Sequence, residues 1–160
     1  MNYWIFKCDP NLYRLSERME DSNPEISWTV TRYKNEIQSG DIAFLWQTGS
    51  RRGIYAVMTI ETAPQDIPEL LSEQPYWNKS DKKTYSRVIG KLIYRRFYLS
   101  SLQLKQIEDL ASLSVFHGVK QGTNFRVTQN EGSVLIGIID KQAARLSELN
   151  TTTRLTGACT

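Results

Sequence analysis

Side chains that could support catalysis or bind a metal are few in this sequence. It contains two cysteines, Cys8 and Cys159, and one histidine, His117. A thiol hydrolase would need Cys8 and His117 to meet an acid such as Asp9, but no recognisable nucleophile motif surrounds these residues. The sequence also lacks the paired Cys or His spacings of metal sites and the glycine-rich loops of nucleotide-binding enzymes. We therefore expect no metal, no cofactor and no catalytic activity, with the thiol hydrolase as the alternative.

Basic residues are concentrated in one segment of the chain. Between Lys79 and Lys105 there are eight basic residues and a single acid, Asp81, which gives the segment a net charge of +7. The whole chain carries +3, so the remainder sums to −4. Such an asymmetry suits a surface that contacts phosphates. The alternative is a solvated strand face.

Apolar patterns predict the strands that would position these groups. Residues 3–7 are rich in aromatic and β-branched side chains and predict a first strand. Residues 42–46 and 54–60 are nearly continuous apolar runs bounded by turn residues, which indicates a hairpin of two strands buried on both faces. Residues 84–99 predict one long strand, or two strands on either side of Gly90.

Helical patterns are shorter, except near the C-terminus. Periodicity and capping residues favour short helices over residues 13–19, 32–38 and 102–113. Thr128 and Glu131 form a capping-box signature ahead of the most regular helical pattern, over 134–149. We expect an irregular loop in the stretch that precedes this signature, from 115 to 125.

The order of these elements predicts an α+β domain built on a strongly curved mixed sheet or barrel, with the last helix packed against it. Residues 1–149 are expected to form a single domain, and residues 150–160 a loose tail. No apolar run approaches the roughly 18 residues that span a membrane, and the N-terminus does not resemble a signal peptide. We therefore expect a cytoplasmic protein with no membrane partner.

Five segments of the chain resemble the EVE-domain family. They are Tyr-Trp-Ile-Phe-Lys-Cys-Asp-Pro at 3–10, the tryptophan at 28, Gly-Asp-Ile-Ala-Phe-Leu-Trp-Gln-Thr at 40–48, Gly-Ile-Tyr-Ala-Val at 53–57, and Gln-Gly-Thr-Asn-Phe-Arg-Val-Thr at 121–128. Their order and spacing, over a span from about residue 2 to 142, carry the resemblance together.

This resemblance implies a PUA-like fold, related to the YTH and PUA readers, with a pocket for one modified base such as a methylated cytosine in DNA or a modified base in RNA. It implies a nucleic-acid partner, and a separate nuclease or modification enzyme is a further candidate partner. The chain departs from the family pattern in two places. Gln47 and Thr48 stand where the family usually has histidine and serine, and Cys8-Asp9 stands where an acid pair is common. These departures bear on which base is recognised.

An enclosed base needs an aromatic surface to rest on and hydrogen-bond partners for its edge. Trp28 is the strongest aromatic candidate, because it lies between Ser27 and Thr29 in a stretch without apolar periodicity. Trp46 ends a buried strand beside a polar loop, so it is either the floor of a pocket or a plug in the barrel. Trp77 is either a lid or a cover for the sheet.

Several polar side chains lie where strands give way to loops and could read a base edge. Amides are suited to this because they both donate and accept hydrogen bonds. The candidates are Lys7, Cys8, Asp9, Gln47, Thr48, Ser50, Thr123 and Asn124. An equally good interpretation of Asp9 is a cap for the turn at Pro10. We expect Trp28 and Trp46 to surround one cavity with Lys7, Gln47, Thr48 and Asn124.

Phosphate contacts are expected from two sets of arginines. The first set is Arg32, Arg51 and Arg52, the last two lying in a loop that Gly49 and Gly53 allow to bend. The second set is Arg95 and Arg96, in the basic segment, which we expect to line one side of the mouth of the cavity. The remaining alternative is a protein–protein adaptor that uses exposed Tyr76 and Trp77, or Tyr94 and Tyr98.

Overall fold

The computed structural model describes residues 1–79, 83–117 and 122–157. Within these residues, eight strands form one sheet in the order β2-β6-β4-β3-β1-β8, with β5 paired to β6 and β7 paired to β4. The strands are β1 (Tyr3–Cys8), β2 (Glu25–Thr29), β3 (Ile42–Gln47), β4 (Gly53–Ile60), β5 (Gln65–Ile67), β6 (Tyr85–Tyr94), β7 (Leu99–Ser100) and β8 (Asn124–Val127).

The sheet is mixed, as the sequence predicted. β1 and β3 are parallel, and every other pairing is antiparallel, including the expected β3–β4 hairpin. The helices are α1 (Leu15–Glu20), α2 (Ser101–Lys105), α3 (Ser114–His117) and α4 (Gln129–Gly157). The predicted α+β class is therefore confirmed. None of the helices in the described ranges is both long enough and apolar enough to cross a membrane.

Both faces of the sheet are buried, because successive side chains of a strand point to opposite faces. In β1, Trp4 and Phe6 belong to a cluster inside the curve of the sheet, together with Trp28. Tyr3 and Ile5 belong to a second cluster, between the sheet and the helices that follow β7. This double burial explains why β3 and β4 have continuous apolar runs instead of alternating ones.

The predicted capping box at the start of α4 is present. The Thr128 hydroxyl accepts from the Glu131 N–H at 3.1 Å, and the Glu131 carboxylate accepts from the Thr128 N–H at 2.9 Å. Leu135 and Ile139 of α4 are buried in the cluster on the outer face of the sheet. The expectation that this helix packs against the sheet is thus confirmed.

The structure corrects several predicted elements near the C-terminal half. α4 continues to Gly157, whereas the sequence placed a loose tail from residue 150. Backbone hydrogen bonds can continue a helix without apolar periodicity, and the sequence after residue 149 contains no proline to end it. Residues 158–160 lie outside the described residues. The predicted loop at 115–125 contains α3 and β8, although 118–121 are not described. The predicted helix at 102–113 is broken, because Ile107 has extended backbone angles.

The predicted helix over residues 32–38 is also wrong, and its absence is informative. Tyr33 has a φ of 59°, outside the right-handed helical region. The N–H groups of Thr31 and Arg32 donate instead to the side-chain oxygen of Asn124, at 2.8 and 3.2 Å. A distant side chain therefore takes up donors that a local helix would leave unpaired in its first turn.

Asn124 joins the two ends of an open sheet. β2 and β8 are the two end strands in the strand order, and residues 31 and 32 directly follow β2. Asn124 is the first residue of β8 and is completely buried. Its side-chain oxygen also accepts from the Thr123 hydroxyl at 2.9 Å. The Thr31 and Thr123 hydroxyls also lie 2.8 Å apart across the same gap. The curved sheet is thus held near closure by the Asn124 carboxamide and this hydroxyl pair, and not by a continuous ladder of backbone hydrogen bonds.

Replacing Asn124 by alanine should loosen this junction. Each buried donor that is left without a partner costs about 1–3 kcal/mol, so we expect a clear loss in the free energy of unfolding, measured by chemical denaturation. Amide hydrogen exchange at Thr31 and Arg32 should accelerate.

The matched control is Asn78→Ala, because Asn78 is exposed and its amide donates to a surface carbonyl. That variant should stay within about 0.5 kcal/mol of the parent. Equal stability and unchanged exchange in Asn124→Ala would show that the junction does not depend on this side chain.

Candidate nucleic-acid interface

A cavity of about 420 Å³ opens where β1 and β2 end, a volume in the range of small-molecule binding sites. We call it the base-sized cavity. It is lined by Lys7, Cys8, Asp9, Leu12, Tyr13, Ser27, Trp28, Thr29, Thr48, Trp77, Gly122 and Thr123.

Aromatic rings form one wall of the base-sized cavity. Trp28 stacks on Phe6 with 6.4 Å between ring centroids, and Tyr13 meets Trp28 edge to face at 5.7 Å. Trp77 lies against Tyr13 at 4.9 Å and is half-buried. Because Trp28 is only 7% exposed and is packed in the inner cluster, its ring is a fixed surface.

A buried ion pair holds the aromatic wall from behind. The Tyr13 hydroxyl donates to Glu73 Oε2 at 2.6 Å, and Arg18 Nε donates to Glu73 Oε1 at 2.8 Å. Arg18 also donates to the carbonyl of Glu25, the first residue of β2, at 2.6 Å. Burial raises the pKa values of both Tyr13 and Glu73, with the Glu73 charge adding to the effect on Tyr13. The Tyr13 hydroxyl therefore remains a protonated donor, and its ring cannot move independently of β2.

Polar groups line the rest of the cavity. Lys7 and Thr123 are joined through the backbone, where the Lys7 N–H donates to the Thr123 carbonyl at 2.7 Å. The Thr48 N–H donates to the Cys8 carbonyl at 3.0 Å. These bonds occupy main-chain atoms, and all four residues line the cavity. The Thr123 hydroxyl also bonds within the protein, to Asn124 Oδ1 at 2.9 Å.

Asp9 has a structural role as well as a place at the cavity. Its carboxylate accepts from the Asn11 N–H at 2.9 Å, and its carbonyl accepts from the N–H groups of Leu12 and Tyr13 at 3.0 Å. The turn-capping interpretation of Asp9 is therefore confirmed. Since the side chain is exposed and lines the cavity, the carboxylate also remains accessible to a ligand.

The structure brings together six of the residues that the sequence singled out as base-binding. Trp28, Lys7, Cys8, Asp9, Thr48 and Thr123 all line the base-sized cavity. They come from four separate segments, as expected from their positions at strand ends.

Three other predicted residues lie elsewhere, so the prediction that one cavity contains all of them is wrong. Trp46 is on the outer face of β3, where it meets Phe116 edge to face at 5.9 Å. Gln47 lines a different cleft, with Arg51 and Tyr55. Asn124 is committed to the sheet junction described above. Side-chain alternation and the bulge between Leu45 and Trp46 give Trp46 and Gln47 different surroundings.

The basic segment does not lie at the mouth of this cavity, contrary to the sequence prediction. Of its described residues, none lines the base-sized cavity. Arg87 is buried and pairs with Glu69, Arg95 donates to the Asp21 carbonyl at 2.6 Å, and Arg96 lies 3.7 Å from the Glu20 carboxylate. The segment contains β6, β7 and α2, and these arginines contact acids and carbonyls of adjacent elements. Phosphate binding by Arg95 and Arg96 stays a prediction.

The first set of predicted phosphate-binding arginines is exposed but dispersed. Arg32 lies beside Gly122 at the base-sized cavity, with Nη1 3.5 Å from the position that a Cβ on Gly122 would take. Arg51 stacks on Tyr98 at 5.7 Å from the ring centroid. Arg52 donates through Nε to the Gly49 carbonyl at 3.0 Å. Of the three, Arg32 is adjacent to the base-sized cavity.

Sequence reasoning missed Tyr13, Ser27 and Thr29 as lining residues. Tyr13 was placed inside a predicted helix, and the strand that carries Ser27 and Thr29 was not recognised. The spacing of Ser27 and Thr29 in an alternating stretch was the signal that could have found them. Trp77 lines the cavity next to Tyr13.

Residues 2–137 match the EVE domain family. The chain belongs to the EVE-domain family. No curated protein gives a significant match, but solved structures do, and they share its PUA-like fold. A hypothetical protein from Leishmania major superposes with a TM-score of 0.65 at 16% identity, covering 89% of this chain and 97% of that one.

Two further structures are similar to this EVE domain. Human THYN1, solved in complex with DNA that contains 5-methylcytosine, has a TM-score of 0.59 at 16% identity and covers 86% of this chain and 97% of its own. The Mmi1 YTH domain has a TM-score of 0.52 at 14% identity, with 90% and 78% covered. The predicted relationship to YTH domains is confirmed at the level of the fold.

The chemistry around Cys8 does not favour a thiol nucleophile. Burial raises the pKa of the Cys8 thiol to about 12, and the charge of Asp9 acts in the same direction. A nucleophilic cysteine needs the opposite shift. The His117 ring, in α3, lies 3.3 Å from the Ala111 carbonyl through Nε2. Among the described residues, no group of His, Cys, Asp or Glu side chains could hold a metal ion.

The raised pKa gives a prediction for alkylation of Cys8 by iodoacetamide. With a pKa of about 12, the thiolate fraction at pH 8 is about 10⁻⁴, against roughly one quarter for an ordinary thiol with a pKa of about 8.5. We expect Cys8 in a Cys159→Ser variant to react at least about 100-fold more slowly than free cysteine, with a rate that rises as the pH increases. The same variant unfolded in urea is the control. Rapid alkylation of the folded protein at pH 7 would restore the thiol-hydrolase alternative.

Proposed function

We propose that this EVE domain binds nucleic acid and encloses a single modified base in the base-sized cavity. The observation that carries the proposal is the convergence of the fixed Trp28 surface with polar side chains from three other segments around one opening. An aromatic surface contributes about 1–3 kcal/mol per stacked base, which is comparable to the cost of removing a base from its stack.

The polar lining supplies both kinds of hydrogen-bonding partner for a base edge. Lys7 donates, the Asp9 carboxylate accepts from an exocyclic amine, and the Thr48 hydroxyl does either. The Thr123 hydroxyl donates to Asn124 Oδ1, so it serves a base edge as an acceptor. Apolar surface from the aromatic wall would meet a methyl group on the base. Because Gln47 lies in another cleft, we propose that Thr48, and not Gln47, contacts the base at the end of β3.

Electrostatics at the opening also support a nucleic-acid ligand. Arg32 is exposed beside Gly122, where it can pair with a phosphate next to the enclosed base. The human THYN1 structure, in complex with DNA containing 5-methylcytosine, makes a modified cytosine the first base to test. A separate nuclease or modification enzyme acting with the domain remains part of the proposal.

The protein–protein adaptor has less support. The Tyr94 hydroxyl donates to Asp140, the Tyr76 hydroxyl donates to Asp21 at 2.7 Å, and Tyr98 lies against Tyr55. These contacts occupy the aromatic residues that the adaptor hypothesis would require at an exposed surface.

The function is tested by binding to matched oligonucleotides that carry cytosine or adenine modifications, as duplex DNA, single-stranded DNA and RNA. We expect one modified base to bind more tightly than its unmodified counterpart in the same sequence, with affinity falling as salt increases. Equal affinity for every modified and unmodified member, at all salt concentrations, would overturn the proposal.

A variant of Trp77 tests the cavity itself. Trp77 is half-buried and packs mainly on Tyr13, so it can be replaced with less damage to the core than Trp28. Trp77→Ala should weaken binding of the preferred modified oligonucleotide by about 1–3 kcal/mol, or roughly 5- to 150-fold in Kd.

The matched control is Phe97→Ala, another half-buried aromatic, which lines other clefts. It should leave the preference for the modified base unchanged. If Trp77→Ala folds normally and binds like the parent, the base does not enter this cavity.

A further inference from the structure

A second cavity, of about 380 Å³, adjoins the base-sized cavity and shares Lys7 and Thr48 with it. It lies between the ends of β1 and β3 and the helices α2 and α3. Its lining includes three cationic side chains, Lys7, Arg52 and Lys105, and we call it the basic cavity. None of the described residues that line it is acidic.

Aromatic rings fix two of the three cations. Lys7 Nζ lies 5.3 Å from the centroid of the Phe125 ring, and Lys105 Nζ lies 5.1 Å from that of Phe116. Trp46 contacts Phe116 edge to face. Cation–π contacts of this kind hold an ammonium group in place without neutralising its charge. The two lysines are thus positioned at the basic cavity by ring contacts.

The third cation is fixed through its backbone. The Arg52 carbonyl accepts from the Ser101 N–H at 2.9 Å, and its guanidinium donates to the Gly49 carbonyl at 3.0 Å. Gly53, the next residue, has a φ of 156°, and a Cβ there would lie 2.1 Å from the Leu99 carbonyl oxygen. Only glycine allows β4 to approach β7 so closely, so the loop that carries Arg52 has a defined place against α2.

We propose that the basic cavity binds the phosphate of the nucleotide next to the one whose base occupies the base-sized cavity. The inference rests on the proposed function and adds a second subsite to it. Three cations around a concave site attract the single negative charge of a phosphodiester, and the buried Ser101 adds a hydroxyl to the lining. Since Lys7 and Thr48 border both cavities, a single strand can occupy the two at once.

Lys105→Ala and Arg52→Ala test this subsite, because neither residue lines the base-sized cavity. Each should weaken binding of a trinucleotide with the preferred modified base at its centre by about tenfold, the loss of one charge-assisted hydrogen bond. The salt dependence of the association constant should fall by about 0.7–0.9 in log–log slope. Binding of the modified nucleoside, which has no phosphate, should not change in either variant.

Lys141→Ala is the control, because it removes the same charge from an exposed position on α4 outside both cavities. It should alter trinucleotide affinity by less than twofold. Competition by inorganic phosphate distinguishes a site for the free ion from a site for the strand. If the subsite is specific for a phosphodiester, inorganic phosphate should displace the trinucleotide no better than another salt at the same ionic strength. Displacement by phosphate at clearly lower ionic strength would indicate a site for the free ion and would contradict the proposal.

Failure of the phosphate subsite and failure of the proposed function give different results. Unchanged trinucleotide affinity and salt slope in both variants, with nucleoside binding intact, would overturn the basic cavity as a phosphate subsite and leave the base-sized cavity standing. Absence of any preference for the modified nucleoside or trinucleotide in the parent protein would overturn the proposed function, and this inference with it.

Discussion

The side-chain oxygen of Asn124 connects the two ends of the sheet, and the base-sized cavity depends on that connection. On one side of the junction are Thr31 and Arg32, which follow the strand that carries Trp28. On the other side is Thr123, whose hydroxyl bonds to the same oxygen. The aromatic wall and part of the polar lining therefore sit on chain ends that no backbone ladder joins. A buried amide with a defined set of donors fixes such a gap more specifically than apolar packing would.

The ion pair of Arg18 and Glu73 has a related role behind the aromatic wall. It ties the Tyr13 hydroxyl and the start of β2 to one buried carboxylate. Removing one partner would leave a buried charge uncompensated, which is costly. Buried polar contacts thus position the aromatic wall and the junction beside it, while the sheet beneath them is held by apolar packing on its two faces. This division explains how a rigid scaffold can carry a site made largely of loop residues.

The sequence was most informative where a pattern acts locally. The runs that became β1, β3 and β4, and the capping box of Thr128 and Glu131, depend on neighbours in the chain and were predicted with nearly correct bounds. The structure of the region after Trp28 was not predicted correctly, because its backbone donors bond to Asn124, more than 90 residues away. No local pattern reports such a contact.

Prediction of the site was limited by side-chain direction. Trp46 and Gln47 come directly before Thr48, yet neither lines the base-sized cavity with it. Alternation along β3 and the bulge between Leu45 and Trp46 decide their orientation, which places Trp46 in the outer cluster and Gln47 in a separate cleft. The prediction that the basic segment lines the mouth of the cavity was wrong for a related reason. Charge composition cannot show that Arg87 and Arg95 contact an acid and a carbonyl of adjacent elements. The resemblance to EVE domains supplied the fold, and the geometry then selected which candidates share a cavity.

Indole N–H signals in a ¹⁵N-edited spectrum test the central claim most directly, since the four tryptophans occupy different places. Trp28 and Trp77 line the base-sized cavity, whereas the buried Trp4 donates its indole N–H to Asp41 at 2.9 Å and serves as an internal control. On titration with the preferred modified nucleoside, the Trp28 and Trp77 signals should shift together and saturably, and the Trp4 signal should stay in place. Saturable binding that leaves Trp28 and Trp77 unshifted would contradict the assignment of this cavity to the base.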